Sequence, residues 1–126
     1  MTHDAVYATL LEYSYKCGAN VNAATQAEAF VNSYLQQAEA IINGACRKVF
    51  AVDAAAFAAL PVTTRQILTG VATDIAAIFA IIYDMSGFTS RVEGEDMINV
   101  LRDSALRGLS ILRDKKTQDF LMKGTL

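Results

Sequence analysis

Apolar residues recur at helical spacing within residues 61–87, and the rest of the chain is best understood as packing around this stretch. Its large apolar positions form one broad stripe: Ile67, Leu68, Val71, Ile75, Ile78, Phe79 and Ile82. A second stripe is made of small residues: Gly70, Thr73, Ala77 and Ala80. A helix that is apolar around most of its circumference has to be surrounded by other elements. We therefore predict a long buried helix, opened by a Thr63-x-x-Gln66 capping box and closed by Gly87.

The same stretch has to be weighed as a membrane span. Asp74 interrupts its apolar run and Asp84 closes it. A spanning helix needs about 20 nearly continuous apolar residues, and the run over 71–83 is shorter. The pattern therefore favours a helix buried in protein.

Two further helices follow from periodicity. After a Thr25-x-x-Glu28 capping box, apolar positions continue at a 3.6-residue period as far as Phe50. Gly44 lies inside this helix. Either a close crossing with another helix or mere sequence drift would explain why a glycine is tolerated at this position. The second helix covers residues 95–113, with acidic residues at its start and basic residues at its end, as the helix dipole prefers. Its apolar stripe is Met97, Ile98, Leu101, Ala105, Leu109 and Leu112.

The remaining segments are short. Residues 2–15 have the spacing of a short amphipathic helix, and residues 51–60 that of a helical connector capped by Asp53 and anchored by Phe57 and Leu60. Residues 114–126 show no clear period. The predicted fold class is therefore all-α: a small helical bundle around a central long helix, residues 1–113, with an extended C-terminal arm, residues 114–126.

Composition adds a surface argument. Hydrophobic residues make up 53% of the 126 residues and charged residues 19%, below the usual share of about 25%. So few charges leave apolar surface that we expect copies of the chain or a partner to cover. The net charge of −2 argues against a protein that coats nucleic acid. No basic region with an apolar run opens the chain, so we expect it to stay in the cytosol or to leave by cell lysis.

Candidate chemistry is sparse. His3 is the one histidine, which leaves no plausible Ser-His-Asp or Cys-His arrangement. Asp74 and Asp84 share a face loosely and could form a carboxylate pair, although such residues more often solvate the rim or pair with an arginine, here Arg47 or Arg65. We predict no catalytic, metal or cofactor-binding residues, and no enzyme. Cys46 falls on an apolar stripe as a small core residue, and a disulfide with Cys17 stays open.

Basic residues on the last helix raise a nucleic-acid alternative. Arg102, Arg113 and Lys116 fall on one face, but acidic residues alternate with them, which favours a solvated face of mixed ion pairs. Tyr13 and Tyr15, near a predicted loop, suit a subunit interface. The apolar cluster in the tail, Phe120-Leu121-Met122, needs something to bind.

Three motifs carry a resemblance to a known family. They are A-E-A-I-I-N-G-A-C-R-K-V-F at residues 38–50, T-D-I-A-A-I-F-A-I-I-Y-D at 73–84 and M-I-N-V-L-R-D-S-A-L-R-G-L-S-I-L at 97–112. In this order, with Pro61 between the first two, the chain resembles the head–tail connector proteins (adaptor or head-completion proteins) of tailed bacteriophages. The likeness covers about residues 25–113 and includes no catalytic signature.

The resemblance implies a structural virion protein, assembled in the host cytoplasm as a homo-oligomeric ring of about twelve subunits. The portal protein would lie above the ring and a tail or stopper protein below. Genomic DNA would pass through the channel without sequence-specific binding. It also implies that the C-terminal arm reaches the portal, through Lys116, Asp119, Phe120, Leu121, Met122 and Lys123. Deleting residues 116–126 is then expected to leave the bundle folded.

Subunit contacts in such a ring are expected to use Tyr13, Tyr15, Arg102, Arg107 and Arg113. Two other functions stay open from the residues themselves. One is a small helical DNA-binding regulator that uses Arg102, Arg107, Arg113 and Lys116. The other is an accessory subunit of an enzyme complex that contributes helices but no chemistry.

Overall fold

The computed structural model describes residues 5–9, 12, 13, 16, 28–83 and 91–123. It contains five labelled helices: α1 (Glu28–Cys46), α2 (Ala54–Ala58), α3 (Val62–Tyr83), α4 (Arg91–Arg113) and α5 (Lys115–Lys123). None of these residues forms a strand. The all-α class predicted from periodicity is confirmed.

Helix α3 lies against α1, α4 and α5. Residues 71–77 are buried without interruption, polar Thr73 and Asp74 included. The alanines at 72, 76, 77 and 80 are fully buried, as are Leu68 and Ile81, whereas Ile82 is 61% exposed. The neighbouring helices therefore pack closely on the small side of α3, and the stripe of large residues only partly predicted the buried side.

The length argument against a membrane span was too strict. By length and composition alone, Val62–Ile82 is long and apolar enough to cross a membrane, a test that the core helix of a soluble protein also passes. The burial of residues 71–77 accounts for its apolar character without a bilayer.

Helix boundaries differ from the predicted ones where a cap was misjudged. The Pro61 carbonyl accepts the first helical bond of α3, from Arg65 N at 3.0 Å, so Thr63 lies inside the first turn and does not cap it. Helix α4 begins at Arg91, four residues earlier than predicted. In α2 the prediction holds, because Asp53 Oδ1 accepts a hydrogen bond from Ala56 N at 2.8 Å.

Helix α1 ends at Cys46, before the predicted end at Phe50, because the next residue is left-handed. Arg47 has φ of 55°, and Lys48 N donates to Asn43 O at 3.2 Å. This is the bond pattern of a Schellman motif, in which the left-handed position is usually a glycine. Because position 47 is an arginine and not a glycine, nothing in the sequence indicated that α1 ends here.

The N-terminal segment, residues 5–9, is not helical, so the helix predicted over residues 2–15 starts too early. The Glu39 carboxylate of α1 accepts hydrogen bonds from the backbone N–H groups of Val6 and Tyr7, at 2.8 and 3.0 Å. Thr9 and Glu12 form a reciprocal capping box, with Thr9 N to Glu12 Oε1 at 2.9 Å and Glu12 N to Thr9 Oγ1 at 3.3 Å. Tyr13 N also donates to the Thr9 carbonyl at 3.0 Å, and Glu12, Tyr13 and Lys16 are helical.

Tyr7 holds this segment to three helices, α1, α2 and α3, and to the segment that follows α1. Its hydroxyl donates to Asn43 Oδ1 at 2.6 Å and accepts from Phe50 N at 3.2 Å. Its carbonyl accepts from Thr69 Oγ1 of α3 at 2.7 Å, and its ring lies 5.9 Å from that of Phe57 in α2. Only 1% of Tyr7 is exposed, and this burial raises the pKa of its hydroxyl above the ordinary value of 10.0.

Close helix approach occurs at Gly108 of α4, not at Gly44 as one interpretation of the sequence had it. A Cβ at Gly108 would lie 2.3 Å from Cγ2 of Val71, which is buried in α3. A Cβ at Gly44 would meet no atom within 4 Å. Glycine is therefore required by packing at one of these positions and not at the other.

The two glycines make a matched test of this packing. We expect Gly44→Ala to raise the free energy of unfolding by about 0.5–1 kcal/mol, because alanine favours the helix and meets nothing. Gly108→Ala should lower it, since overpacking against a stiff β-branched side chain costs about 1–3 kcal/mol and exceeds that gain. Urea unfolding midpoints measure both, and an equal gain at the two positions would contradict the crossing at Gly108.

Tyr7 predicts a specific dependence of stability on pH. Tyr7→Phe should cost about 1–3 kcal/mol near neutral pH, because Asn43 Oδ1 and Phe50 N–H lose their partner. Above pH 10 the unfolded chain releases the Tyr7 proton more readily than the folded chain does, so the wild type loses stability that the variant never had.

The measurement is the difference in unfolding free energy between wild type and Tyr7→Phe from about pH 8 to pH 11. We expect this difference to shrink as the pH rises. The buried Cys46 thiol titrates alike in both proteins and cancels. A constant difference would show that the folded state does not hold Tyr7 neutral.

Candidate functional site

The predicted C-terminal arm is not extended; residues 115–123 form helix α5, bound to the bundle. Lys115 Nζ donates to the Cys46 carbonyl at 2.8 Å. The Gln118 amide donates to the Leu112 carbonyl at 2.8 Å and to the Cys46 carbonyl at 3.3 Å. Gln118 thus joins the C-terminal ends of α1 and α4, where helices leave carbonyls without partners.

The apolar cluster of the arm is largely covered by its own chain. Leu121 is 1% exposed, its carbonyl accepts a hydrogen bond from the Thr64 hydroxyl of α3, and Phe120 and Met122 are half-buried. The side chains of Lys116, Asp119 and Lys123 lie outside what the structure describes. The prediction of an extended arm missed these contacts because nearly all of them are made by residues far away in sequence.

The residues predicted for a subunit interface separate into two groups. Tyr13 is fully buried within the chain, so its assignment to an interface is wrong; Tyr15 lies outside the described residues. Arg102, Arg107 and Arg113 are all exposed on α4.

Local contacts occupy two of these arginines. Arg107 forms an ion pair with Asp103 at 3.0 Å, and Arg102 Nη2 donates to Asn99 Oδ1 at 3.4 Å. These three arginines thus lie exposed on more than one side of α4, and they do not form a uniform basic face.

The most unusual electrostatic feature is an ion pair between a buried carboxylate and a lysine whose side chain is 37% exposed. The Asp74 side chain is 2% exposed, and its Oδ1 lies 2.9 Å from Nζ of Lys16. Lys16 takes the place that Arg47 or Arg65 was predicted to hold, and Arg65 instead donates through Nε to the Leu60 carbonyl at 3.1 Å. Asp84, the other half of the predicted carboxylate pair, lies outside the described residues. No sequence signal linked positions 16 and 74, which are far apart in the chain.

Two clefts lie beside this pair, one on each side of Gly70. The larger, of about 480 Å³, is lined by Lys16, Arg65 and the N-terminal half of α3; the smaller, of about 170 Å³, lies between α3 and α4 beside Asp74. The Thr69 and Thr73 hydroxyls of the larger cleft donate to backbone carbonyls, at 2.7 Å each. These hydroxyls are occupied as donors, and neither has a histidine beside it among the described residues.

Cys46 is a free, buried thiol, as predicted for a small core residue. Burial raises the pKa of this thiol above its ordinary value, which disfavours the reactive thiolate. The Cys17 position lies outside the described residues. In the part of the chain that the structure describes, no group of three or more His, Cys, Asp or Glu residues could hold a metal ion.

The surface carries a feature that periodicity did not predict. Large apolar side chains are between 42% and 78% exposed at Ile41, Val49, Val52, Val62, Ile82, Val92, Val100, Leu106 and Ile111. Four of these nine lie on α4, whose exposed positions thereby include both apolar and charged side chains.

No family model, curated protein or solved structure matches the chain.

Gln118 provides a test of whether α5 is part of the folded bundle. We expect Gln118→Ala to lower the free energy of unfolding by about 1–3 kcal/mol, because the buried Leu112 carbonyl loses its partner. Gln36→Ala on the exposed side of α1 is the matched control, expected within about 0.5 kcal/mol of wild type. Chemical unfolding measures both. If the two variants were equally stable, the result would support an extended C-terminal arm instead of a bound α5.

Proposed function

We propose that the chain is a structural, non-enzymatic adaptor subunit of a bacteriophage head–tail connector. Copies of it would form a ring of about twelve beneath the portal and extend the DNA channel towards the tail. The family resemblance of residues 38–50, 73–84 and 97–112 supports this assignment. Each of these segments lies mostly or wholly within a helix: α1, α3 and α4.

The observation that carries the proposal is the exposed apolar surface. Among the residues that the structure describes, nine large apolar side chains are exposed, and only 19% of the whole sequence is charged. Such a surface favours association with other protein, because contact with a neighbour removes these side chains from water. A ring subunit has neighbours on both sides and further partners above and below it.

A free C-terminal arm does not describe the proposed contact with the portal, because α5 is bound to the bundle. In the free subunit α5 is held by Lys115, Gln118 and Leu121. We place the portal contact on the half-buried side chains of Phe120 and Met122, which α5 presents without having to detach. Removing residues 116–126 would then destabilise the bundle as well as remove this contact.

Charge also suits a channel through which DNA slides. Each subunit has a net charge of −2. A strongly basic lining would retain DNA by counterion release, which gains affinity with every phosphate neutralised. A mildly acidic ring would not bind DNA by this mechanism.

The test is the native mass of the purified protein over a concentration series, with negative-stain images of the largest species. We expect closed rings of about a dozen subunits with a central hole. Fluorescence anisotropy with labelled duplex DNA at low salt is the companion measurement, and we expect no binding.

Two results would reject the adaptor. The first is the absence of rings at every concentration, including in the presence of a portal assembly. The second is salt-sensitive DNA binding that disappears when Arg102, Arg107 and Arg113 are neutralised, which would indicate the DNA-binding regulator instead.

A further inference from the structure

Unpaired positive charge is concentrated at one end of the bundle. Most lysine and arginine side chains that the structure describes have a hydrogen-bond or ion-pair partner within the chain: Lys16, Arg65, Arg102, Arg107 and Lys115. The remaining described cations have no hydrogen bond or ion pair, and these are Arg47, Lys48 and Arg113. The first and last of them are exposed, and Lys48 is partly exposed.

These three cations lie where α1 and α4 end. Two of them directly follow the last residue of α1, and the third is the last residue of α4. Gln118 hydrogen-bonds to a carbonyl at each of the two helix ends. Burial raises the pKa of the Cys46 thiol, and the charges of Arg113 and Lys115 oppose this rise, which places both cations near the end of α1. We call the whole group the basic end: Arg47, Lys48, Arg113 and Lys115.

The carboxylates nearest in sequence do not neutralise the basic end. Asp114 Oδ2 accepts a hydrogen bond from the Thr117 hydroxyl at 2.9 Å, at the start of α5, and Asp53 Oδ1 caps α2. The side chains of Lys116 and Asp119 lie outside the described residues and carry one charge of each sign. The basic end is therefore positive on a chain whose net charge is −2.

Helix capping explains only part of this arrangement. A cation in the last turn of a helix interacts favourably with the helix dipole, and Lys115 does so directly by donating to the Cys46 carbonyl at 2.8 Å. The dipole acts within one turn and does not require several cations side by side, which repel one another. A negatively charged partner would relieve this repulsion.

Exposed aliphatic side chains lie beside these cations and narrow the class of partner. Val49 and Val52, in the segment between α1 and α2, are 54% and 78% exposed. A protein segment that has both carboxylates and apolar side chains matches the two properties of this surface. The backbone of duplex DNA offers phosphates without an aliphatic counterpart, and DNA-binding domains usually carry a basic net charge.

We infer that the basic end is a docking surface for an acidic, partly apolar segment of another protein. Carboxylates of that segment pair with Arg47, Lys48 and Arg113, and its apolar side chains cover Val49 and Val52. The arginines can hold a carboxylate through two parallel hydrogen bonds, which fixes the orientation of the segment.

This surface goes beyond the proposed function and does not depend on it. The portal contact was placed on the apolar side chains of Phe120 and Met122, whereas the basic end acts through charge. An acidic segment can therefore bind the free subunit whether or not rings form.

A labelled peptide of glutamate and leucine is the probe, and the same peptide with glutamine in place of glutamate is its control. Fluorescence anisotropy at about 0.1 M salt measures binding. We expect the wild type to bind only the glutamate peptide, with an affinity that falls as salt is added. Arg113→Glu and Lys48→Glu should each weaken this binding about tenfold, because a carboxylate then faces a carboxylate.

Arg102→Glu is the matched control, since it makes the same charge change at an exposed arginine of the same helix. Position 102 lies on the same face of α4 as position 113 but about 16 Å along the helix axis, beyond the screening length of about 10 Å at 0.1 M salt. We expect its affinity to stay within about twofold of wild type. Circular dichroism checks that each variant is folded, and Arg113→Gln, which removes the charge without reversing it, should lose less affinity than Arg113→Glu.

The inference is overturned if the wild type does not bind the glutamate peptide, or if Arg102→Glu weakens binding as much as Arg113→Glu does. Tighter binding of labelled duplex DNA, or of phosphatidylserine vesicles, through Lys48 and Arg113 would also overturn it and assign the surface to nucleic acid or to a membrane. Rings are scored separately by negative stain. Rings without peptide binding would leave the adaptor standing and remove this surface, and peptide binding without rings would do the opposite.

Discussion

The end of α1 is the constraint on which the rest of the described structure depends. A helix leaves its last carbonyls without intrahelical partners, and here a left-handed Arg47 stops the helix abruptly. The Cys46 carbonyl accepts from Lys115 and Gln118 of α5, and the nearby Asn43 side chain accepts from Tyr7. Lys115 also places a positive charge where the helix dipole favours one. The first and last described segments of the chain are thus fixed to the same turn.

The features that could be predicted from the sequence are those that local periodicity encodes. The helical character of α1, α3 and α4 followed from apolar spacing, because each buries one side against a neighbour and needs no knowledge of which neighbour it is. The N-terminal segment and α5 were not predictable in this way. Glu39 holds Val6 from 33 positions away, and Lys115 reaches Cys46 from 69 positions away. Such pairs leave no periodic pattern in the sequence.

The candidate site was predictable only in its charges. Alternating signs on one helix favoured a solvated face for Arg102 and Arg113, and both side chains are exposed on α4. Tyr13 was misassigned because proximity to a loop does not reveal burial, and Lys16 was overlooked because its partner Asp74 lies in another helix.

The carbonyl of Cys46 also has a consequence for biosynthesis. The ribosome completes α1 well before Lys115 and Gln118 are made, so the Cys46 carbonyl lacks these partners while the middle of the chain emerges. A product cut short before α5 would keep Leu112 and Cys46 without these partners and would expose the surface that Leu121 covers. Incomplete chains would therefore differ from finished ones in the feature that cellular proteases detect, an easily opened helix end. Chains translated through α5 would therefore resist such proteases better than shorter ones.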